Sequence, residues 1–448
     1  MGLVMAGSLL ETTIGEVCEV FDGPHATPTR LDAGPVFLGI TSLNKGRIDL
    51  AASDHVSEED FAKWTRRVTP RPGDVVFSYE TKLGEAAIIP EGLRCCLGRR
   101  MGLMRPDSKR LDSRFLLYYY LGPEFQDVIR ERTIRGSTVE RLALTEFPRF
   151  PIRIPPLPEQ RAIASVLGAL DDKIDLNRRM CQTLEEMARA LFKSWFVDFD
   201  PVRAKMEGRD PGLPKEIADL FPSRLVDSEL GPIPEGWRAA PLRDEFEAAK
   251  GLSYKGSGLS DSGVPLHNLN SIFEGGGYKH SGIKWYRGEY ADRHLINGGD
   301  VIVANTEQGH DRLLIGFAAR VPNDYDGLGL FSHHLYRVRA ALGSQLTGNW
   351  IYRLLNTRAM HETVSGYANG TTVNMLPIDG LQSPRFVVPA GEIVATFDRQ
   401  DEDWQARGAL AMRETRTLAA LRDTLLPKLI SGELRVPASL GSMQEVAP

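Results

Sequence analysis

The sequence predicts an α+β chain made by tandem duplication of one mixed α/β domain followed by one long helix. The motif GSTV at 136–139 recurs as GTTV at 370–373. The motif GDVV at 73–76 recurs as GDVI at 299–302, in the same order and at nearly the same offset. A period close to half of the chain is too long for a solenoid repeat, so it indicates two copies of a whole domain.

Both copies have the same predicted order of strands and helix. Short apolar runs bounded by Gly, Pro or Asp are typical of strands, and an apolar pattern without a breaker is typical of a helix. In the first copy we expect strands at 36–43, 75–78 and 86–89 and a helix at 115–132. In the second copy the matching segments are 264–272, 301–304, 315–320 and 350–363. These elements predict globular domains at residues 10–155 and 232–390.

A heptad pattern follows each domain. Residues 156–200 form a first helical region with about five repeats, which predicts a helix at 159–197 that is about 57 Å long. Residues 391–436 form a second region, with a predicted helix at 391–431. The seam positions are Ile163, Leu170, Asn177, Leu184 and Leu191, then Phe397, Trp404, Ala411, Leu418 and Leu425. One such helix alone would more simply pack on a core, but two of matching length favour an intramolecular antiparallel coiled coil.

Polar residues interrupt both heptad patterns. The other row of the second helix is the less regular one, and it holds Asp401, Gly408, Thr415 and Arg422. In the first helix Asn177 has two interpretations: it fixes the register of the helix pair, or it reaches solvent. Between the two copies, residues 201–231 are rich in Pro, Gly and charge, which predicts a linker.

Composition favours a cytoplasmic globular protein. No run of eighteen apolar residues occurs, so we expect no membrane span. The N-terminus lacks the basic start of a signal peptide, so we expect no secretion signal. Cys18, Cys95, Cys96 and Cys181 have no C-x-x-C spacing, which predicts neither a disulfide framework nor a metal site.

The net charge of −5 does not exclude a nucleic-acid partner, because the charge is unevenly distributed. Residues 1–157 carry 21 basic and 21 acidic side chains and residues 231–390 carry 15 of each, so the helical regions hold the acidic excess. Residues 94–153 carry 13 basic and 7 acidic side chains. A local basic face is sufficient to bind a phosphate backbone, although neutral domains are also simply soluble domains.

Sequence signatures of catalysis are mostly absent. The chain has no G-x-x-x-x-G-K-[ST] loop, no G-x-G-x-x-G before a helix, no [ND]-P-P-[YF], and neither G-x-S-x-G nor H-E-x-x-H. Asp74, Glu80 and Lys82 mimic the carboxylates and lysine of a metal-dependent nuclease, but the second copy lacks the lysine. We interpret the Gly-Asp pair instead as a tight turn before a buried strand.

Polar residues near predicted loop tips are candidates for DNA contacts. Hydroxyl and amide groups of the GSTV-type loops suit phosphate oxygens, and the longer polar side chains suit base edges. The segments after the two Gly-Asp strands differ between the copies. The candidates are Lys82, Arg99, Arg100, Ser137, Thr138, Asn305, Gln308, His333, His334, Thr371 and Thr372. Any one of them alone is more simply explained as a solvated loop residue.

Four strings resemble the specificity subunit of Type I restriction–modification systems. They are LPEQRAIASVLGALDDKIDLNRR at 157–179, LFKSWFVDFDPVRAKMEGRD at 191–210, GPIPEGW at 231–237 and LLPKLISGEL at 425–434. The resemblance implies two target recognition domains, each reading one half of a split double-stranded DNA sequence, and two helical regions that form an antiparallel coiled coil.

The resemblance also implies partners. Two modification subunits with adenine N6-methyltransferase activity would bind the helical regions, and the assembly would recruit restriction subunits that act as nuclease and translocase. This chain would then have no catalytic centre and no cofactor, with S-adenosylmethionine, ATP and Mg²⁺ bound by the partners. Two alternatives stay open: a stand-alone Mg²⁺-dependent restriction endonuclease that uses Asp74, Glu80 and Lys82, and a structural coiled-coil spacer.

Overall fold

The computed structural model describes residues 9–24, 27–136, 139–309, 311–323, 328–370 and 373–437. The chain divides into two compact units. The first comprises Met1–Arg178 together with Met412–Pro448, and the second comprises Arg179–Ala411. Each unit therefore holds one globular domain and a part of each long helix.

The first domain is built on a four-stranded antiparallel sheet with the order β2-β10-β7-β8. A second sheet has the order β6-β3-β9, in which β3 and β9 are parallel, and β1 pairs with β11. The strands are β1 Leu10–Thr13, β2 Cys18–Asp22, β3 Leu31–Leu38, β4 Leu43–Asn44, β5 Arg47–Ile48, β6 Asp54–His55, β7 Val75–Ser78, β8 Ala86–Ile88, β9 Cys95–Leu97, β10 Met101–Pro106 and β11 Pro151–Ile154. The helices are α1 Ile14–Val17, α2 Glu58–Trp64, α3 Ser113–Leu121 and α4 Pro123–Arg132, and α5 Leu157–Phe196 follows the domain.

The second domain repeats this arrangement. Its main sheet has the order β15-β24-β20-β22, its second sheet the order β16-β18-β17-β23-β19 with β17 parallel to β23, and β14 pairs with β26. The strands are β12 Leu225–Val226, β13 Ile233–Pro234, β14 Arg238–Pro241, β15 Phe246–Lys250, β16 Leu259–Ser260, β17 Val264–His267, β18 Lys284–Tyr286, β19 Leu295–Ile296, β20 Val301–Ala304, β21 Thr306–Gln308, β22 Ala318–Arg320, β23 Gly329–Phe331, β24 Leu335–Ala340, β25 Val373–Met375 and β26 Arg385–Val388. The helices are α6 Asp200–Met206, α7 Lys215–Ala218, α8 Gly348–Leu355, α9 Arg358–Ser365, α10 Ile378–Gln382 and α11 Gly391–Ile430. The predicted duplication of a mixed α/β domain plus a long helix is confirmed.

The two Gly-Asp motifs form the same buried turn. The glycine before each aspartate has a positive φ, 85° before Asp74 and 88° before Asp300, a conformation that glycine adopts without strain. Arg105 of β10 binds both carboxylate oxygens of Asp74, at 2.9 and 2.7 Å. Arg339 of β24 binds Asp300 in the same way, at 2.7 and 2.5 Å. Each motif thus joins a turn to the neighbouring strand of the main sheet.

In the first unit, α5 and α11 run antiparallel. Asp171 accepts a hydrogen bond from Arg422 at 2.8 Å, and Asn177 donates its amide to Glu414 at 2.8 Å. Rising numbers on α5 therefore meet falling numbers on α11. Asn177 is only 1% exposed, so of its two interpretations the structure supports pairing between the helices over reaching solvent.

In the second unit the same two helices also run antiparallel. The thiol of Cys181 lies 3.5 Å from the carbonyl oxygen of Gly408, and the rings of Phe192 and Phe397 are 5.5 Å apart. Phe192, Phe196 and Phe397 belong to one buried cluster with Trp350 of α8. The predicted antiparallel pairing is confirmed, and every predicted seam position is buried or half-buried.

The less regular row of α11 has specific polar partners. Asp401 is fully buried, and both of its carboxylate oxygens accept hydrogen bonds from Arg353 of α8, at 3.1 and 2.7 Å. Arg353 also donates to Glu185 of α5 at 2.7 Å. The polar seam position Asp401 is therefore held by an ion pair with α8, whose arginine also reaches α5, and a heptad pattern does not reveal this.

The segment predicted as a linker is folded onto the second unit. Within residues 201–231, α6 and α7 form, and Val202 and Phe221 are buried. The ring of Phe221 lies 5.1 Å from that of Trp195, edge to face. Aromatic burial of this kind contributes strongly to packing, so this segment extends the hydrophobic core of the second unit.

Candidate nucleic-acid interface

Each domain has a polar edge where the main sheet ends. In the first domain we define this polar edge as residues 79–82, 99–100, 134–136 and 139–141. In the second domain the polar edge is residues 305–308, 333–334, 369–370 and 373–375. Each edge combines an extension of the strand that follows the Gly-Asp turn, the tight connection into the next strand, and the loop that carries the repeated GSTV-type motif.

Backbone hydrogen bonds hold the polar edge of the first domain together. The N–H of Tyr79 donates to the carbonyl of Arg100 at 3.2 Å. The carbonyl of Tyr79 accepts from the N–H of Leu142 at 2.9 Å. One residue thus connects the two other segments of the edge.

The second domain repeats both bonds. The N–H of Asn305 donates to the carbonyl of His334 at 3.0 Å, and its carbonyl accepts from the N–H of Leu376 at 2.8 Å. Asn305 therefore occupies the place of Tyr79, and His334 the place of Arg100. By the same count, Gln308 stands where the first domain has Lys82.

The motif loops are closed in the same way in both domains. Ile134 and Arg141 exchange backbone hydrogen bonds of 2.8 and 3.2 Å, and Asn369 and Met375 exchange bonds of 3.0 and 2.8 Å. The four candidate hydroxyl residues lie between these closing pairs and fall outside the residues that the structure describes. They are Ser137, Thr138, Thr371 and Thr372.

The first domain presents basic side chains at its polar edge. Lys82 and Arg99 are exposed. The Nε of Arg100 lies 2.7 Å from a carboxylate oxygen of Glu80, with the two side chains 33% and 18% exposed. Beside them Tyr79 donates its hydroxyl to Asp22 at 3.0 Å, and burial, followed by this hydrogen bond, raises the pKa of Tyr79.

The second domain presents different groups at the same positions. Gln308 is exposed. His334 has one ring nitrogen, Nδ1, 2.9 Å from the hydroxyl oxygen of Thr306, so the pair Thr306–His334 replaces the pair Glu80–Arg100. The ring of His333 lies 3.8 Å from that of His334.

Lysines surround this histidine pair. Burial lowers the pKa of His334, and the charges of His333, Lys250 and Lys284 lower it further. Lys250 ends β15 at the place where Asp22 ends β2, since their partners in the next strand are equivalent. The second edge is therefore cationic at a position where the first domain has a carboxylate.

One predicted contact residue lies below the surface. Asn305 is 2% exposed, and its side-chain amide donates to the carbonyl of His333 at 3.1 Å. Its side chain is therefore in no position to contact a base directly, and it supports the backbone of His333. The remaining candidates in the described residues lie on the two edges and are either exposed (Lys82, Arg99 and Gln308) or half-buried (Arg100, His333 and His334).

Sequence reasoning missed several basic residues near the first edge. A cleft of about 650 Å³ beside Asp22 is lined by Lys63, Arg66, Arg67 and Trp64, and the three cations are exposed. Lys250 and Lys284 were missed in the second domain. No motif marks these lysines and arginines in the sequence. A signal did exist for the equivalence of the two edges, because the offset of 234 between the GSTV-type motifs aligns Arg99 and Arg100 with His333 and His334.

The nuclease interpretation does not fit the structure. Asp74 is 3% exposed and bound to Arg105, and Glu80 is paired with Arg100. Strand β7 lies between Asp74 and Glu80 in the sequence, and an extended strand rises about 3.3 Å per residue. The two carboxylates are therefore held apart along the strand. Among the described residues no three His, Cys, Asp or Glu side chains are grouped to hold a metal ion. Within those same ranges, none of the helices combines the length and apolar character needed to span a bilayer.

The fold and the two edges define a class of protein: a duplicated scaffold that presents two equivalent surfaces with different polar groups. Residues 11–186 match the family described as the Type I restriction modification DNA specificity domain. The HindI specificity subunit of Haemophilus influenzae is 25% identical over 349 residues, covering 67% of this chain and 72% of that protein. The MjaIX specificity subunit of Methanocaldococcus jannaschii is 23% identical over 390 residues, covering 85% and 82%.

A solved structure has the same fold. The crystal structure of the Type I restriction–modification S subunit from M. genitalium matches with a TM-score of 0.57 and 13% identity, covering 96% of this chain and 98% of that one. The resemblance seen in the sequence is confirmed: residues 11–186 match the specificity-domain family, and most of the chain aligns with specificity subunits of Type I restriction–modification systems.

Proposed function

We propose that this chain is the DNA-specificity subunit of a Type I restriction–modification complex and that each domain reads one half of a bipartite target. It directs methylation and cleavage without performing either reaction. The observation that carries the proposal is the polar edge, which is built twice on one set of backbone bonds and carries different side chains in each copy. A constant frame with variable polar groups suits two different base sequences.

The partners we propose are modification subunits that bind the helical regions and restriction subunits that join the same assembly. The modification subunits would bind S-adenosylmethionine and transfer its methyl group to the N6 atom of adenine. The restriction subunits would use ATP and Mg²⁺. This chain would supply the contacts to double-stranded DNA.

The two half-targets should be separated by base pairs that are not read. Two domains that meet the same side of a B-form duplex place their half-site centres about one helical turn apart, roughly 10 bp. With half-sites of three to five base pairs, this leaves a gap of about five to seven base pairs. Methylation should fall on one adenine of each strand.

Exchange of the second domain tests the proposal. Residues 232–390 are replaced by the equivalent domain of another family member, and the chimera is expressed with the modification subunits. Sequencing of N6-methyladenine should then show one half of the target changed and the other half and the gap retained. An exchange of the first domain, residues 10–155, is the reciprocal control. If either exchange altered both halves together, or if the methylated sites were contiguous, the two-reader proposal would fail.

A further inference from the structure

The pair Glu80–Arg100 in the first domain has the geometry of a base-reading device. Its Nε lies 2.7 Å from a carboxylate oxygen of Glu80 as an ion pair without hydrogen-bond geometry and is shielded from solvent, whereas the arginine side chain as a whole is 33% exposed. The exposed part of Arg100 is therefore the rest of the side chain, which includes the two terminal nitrogens. A carboxylate beside Nε holds the guanidinium by charge and leaves its two terminal nitrogens as donors for another partner.

The backbone at this pair is held in an uncommon conformation. Arg100 has φ 71° and Thr81 has φ 70°, and residues other than glycine rarely adopt these values. Such strain persists only where the surroundings impose it, and it is often found at functional positions. Here the backbone bond from Tyr79 to the carbonyl of Arg100 and the Glu80 carboxylate impose it from two sides.

The second domain places a different pair on the same backbone hydrogen bonds, without the positive φ that Arg100 has in the first domain. Thr306 and His334 replace Glu80 and Arg100, and the contact of Thr306 leaves only Nε2 of the His334 ring for other partners. An imidazole with one remaining nitrogen makes a single hydrogen bond, whereas a guanidinium makes a fork. The two domains therefore differ at this position in the number and direction of the bonds they offer to a base.

We propose that Arg100, positioned by Glu80, reads a guanine in the half-target of the first domain. At the equivalent base of the other half-target, the Thr306–His334 pair offers a single hydrogen bond instead of two. Two terminal donors of an arginine match O6 and N7 of guanine in the major groove, which is the commonest specific contact of this kind. Glu80 is a positioning residue, and Arg100 is the specificity-determining residue. The inference rests on the proposed function and names one base of its target.

The test uses the full-length chain in complex with its modification subunits. The substrate is a pool of duplexes randomised in the first half-target, and the readout is N6-methyladenine by sequencing. Arg100→Gln should relax one base pair, a guanine in the wild-type target, by about 10-fold to 100-fold in discrimination. Glu80→Gln should relax the same base pair partially, and the second half-target should stay unchanged in both variants.

Arg94→Gln is the matched control. Arg94 forms an arginine–glutamate pair with Glu58 at 2.6 Å in the same domain, but away from the polar edge, so the target should be unchanged. A double variant, Glu80→Thr with Arg100→His, transplants the pair that the same frame accommodates in the second domain, and it replaces Arg100→Gln if that variant fails to fold. It should also lose the preference for guanine.

Other outcomes would overturn the inference. A uniform loss of methylation across all sequences would place Arg100 on a phosphate, and an unchanged target or a base other than guanine at the relaxed position would exclude the fork. In these cases a bipartite wild-type target still supports the proposed function. A wild-type complex that methylates no bipartite target would remove the proposed function itself.

Discussion

In the first domain Asp74 and Arg105 hold the turn before β7, and in the second domain Asp300 and Arg339 hold the turn before β20 with the same two hydrogen bonds. At the polar edge the backbone hydrogen bonds are retained, but the side-chain pairs are not. Glu80–Arg100 becomes Thr306–His334, and Asp22 gives way to Lys250. The Asp–Arg pairs that hold the turns are the same in both domains, whereas the side chains at the polar edge differ. This pattern is expected if the shared backbone positions the DNA-contacting side chains and those side chains determine the target sequence.

The attachment of each domain to its helices differs in a second way. Tyr118, the sixth residue after the N-cap of α3, donates its hydroxyl to Asp171 of α5 at 2.7 Å. At the equivalent position of α8 the second domain has Arg353, which binds Asp401 of α11 and Glu185 of α5. The first domain is thus attached through the neutral hydroxyl of Tyr118. The second is attached through the buried guanidinium of Arg353, whose charge is balanced by the carboxylates of Asp401 and Glu185.

The largest effect should come from Arg353→Ala. This change leaves Asp401, which is fully buried, without its counter-ion, and breaking a buried pair costs about 3–5 kcal/mol. Tyr118→Phe removes one hydrogen bond to a carboxylate that keeps Arg422, so it should cost about 1–2 kcal/mol. Urea unfolding of the full-length variants measures both.

The control is Arg358→Ala. Arg358 is 92% exposed and pairs with Glu362 one helical turn away, and exposed ion pairs contribute little to stability. Equal losses for Arg353→Ala and Tyr118→Phe would show that the two attachments are energetically alike despite their different chemistry.

A smaller effect, similar in both domains, should follow from Asp74→Asn and Asp300→Asn. Each change weakens two charge-assisted hydrogen bonds to an arginine, which should cost about 2–3 kcal/mol. Asp127→Asn is the control, because Asp127 is exposed and pairs only with the neighbouring Arg130 of its own helix. Intrinsic Mg²⁺-dependent cleavage by the purified chain that Asp74→Asn abolished would contradict this structural role.

The duplicated fold could be predicted because its signals lie in short stretches of sequence. Gly-Asp turns, apolar strand runs and heptad rows depend on neighbouring residues, and both copies carry them. The candidate site was predicted in part. Lys82 and Gln308 fell on equivalent positions because the Gly-Asp motif fixes their distance from the strand.

Other features depend on partners that are distant in the sequence. Asn305 looked like a base-contacting residue, but it is buried and its side-chain amide binds the carbonyl of His333 in the turn between β23 and β24. Asp401 looked like a flaw in a heptad, but Arg353 lies 48 positions away and meets it in the core. The predicted linker was judged by its Pro and Gly content, while the burial of Phe221 against Trp195 decides its structure. Burial and pairing at this range leave no periodic pattern in the sequence.

The last predicted effect depends on pH and concerns a buried carboxyl that the second domain has where the first has an alanine. Asp398 on α11 stands where the first domain has Ala164 on α5, and it is 6% exposed. Burial raises its pKa from the ordinary value of 3.8 to about 6, partly offset by the nearby Thr347 side chain. The folded state therefore binds this proton more tightly than the unfolded state, and the contribution of Asp398 to stability is lost as pH rises through 6.

Asp398→Asn should remove this dependence. Below about pH 4 both states of the wild type are protonated, so variant and wild type should differ little. Between about pH 4 and pH 7 the variant should become more stable than the wild type, by at most about 3 kcal/mol. Unfolding in urea at pH 4, 5, 6 and 7 measures the difference, with the exposed Asp403→Asn as control. A difference that stayed constant with pH would show that Asp398 is solvated, and one that shrank as pH rose would show that its charge is stabilised by Arg320.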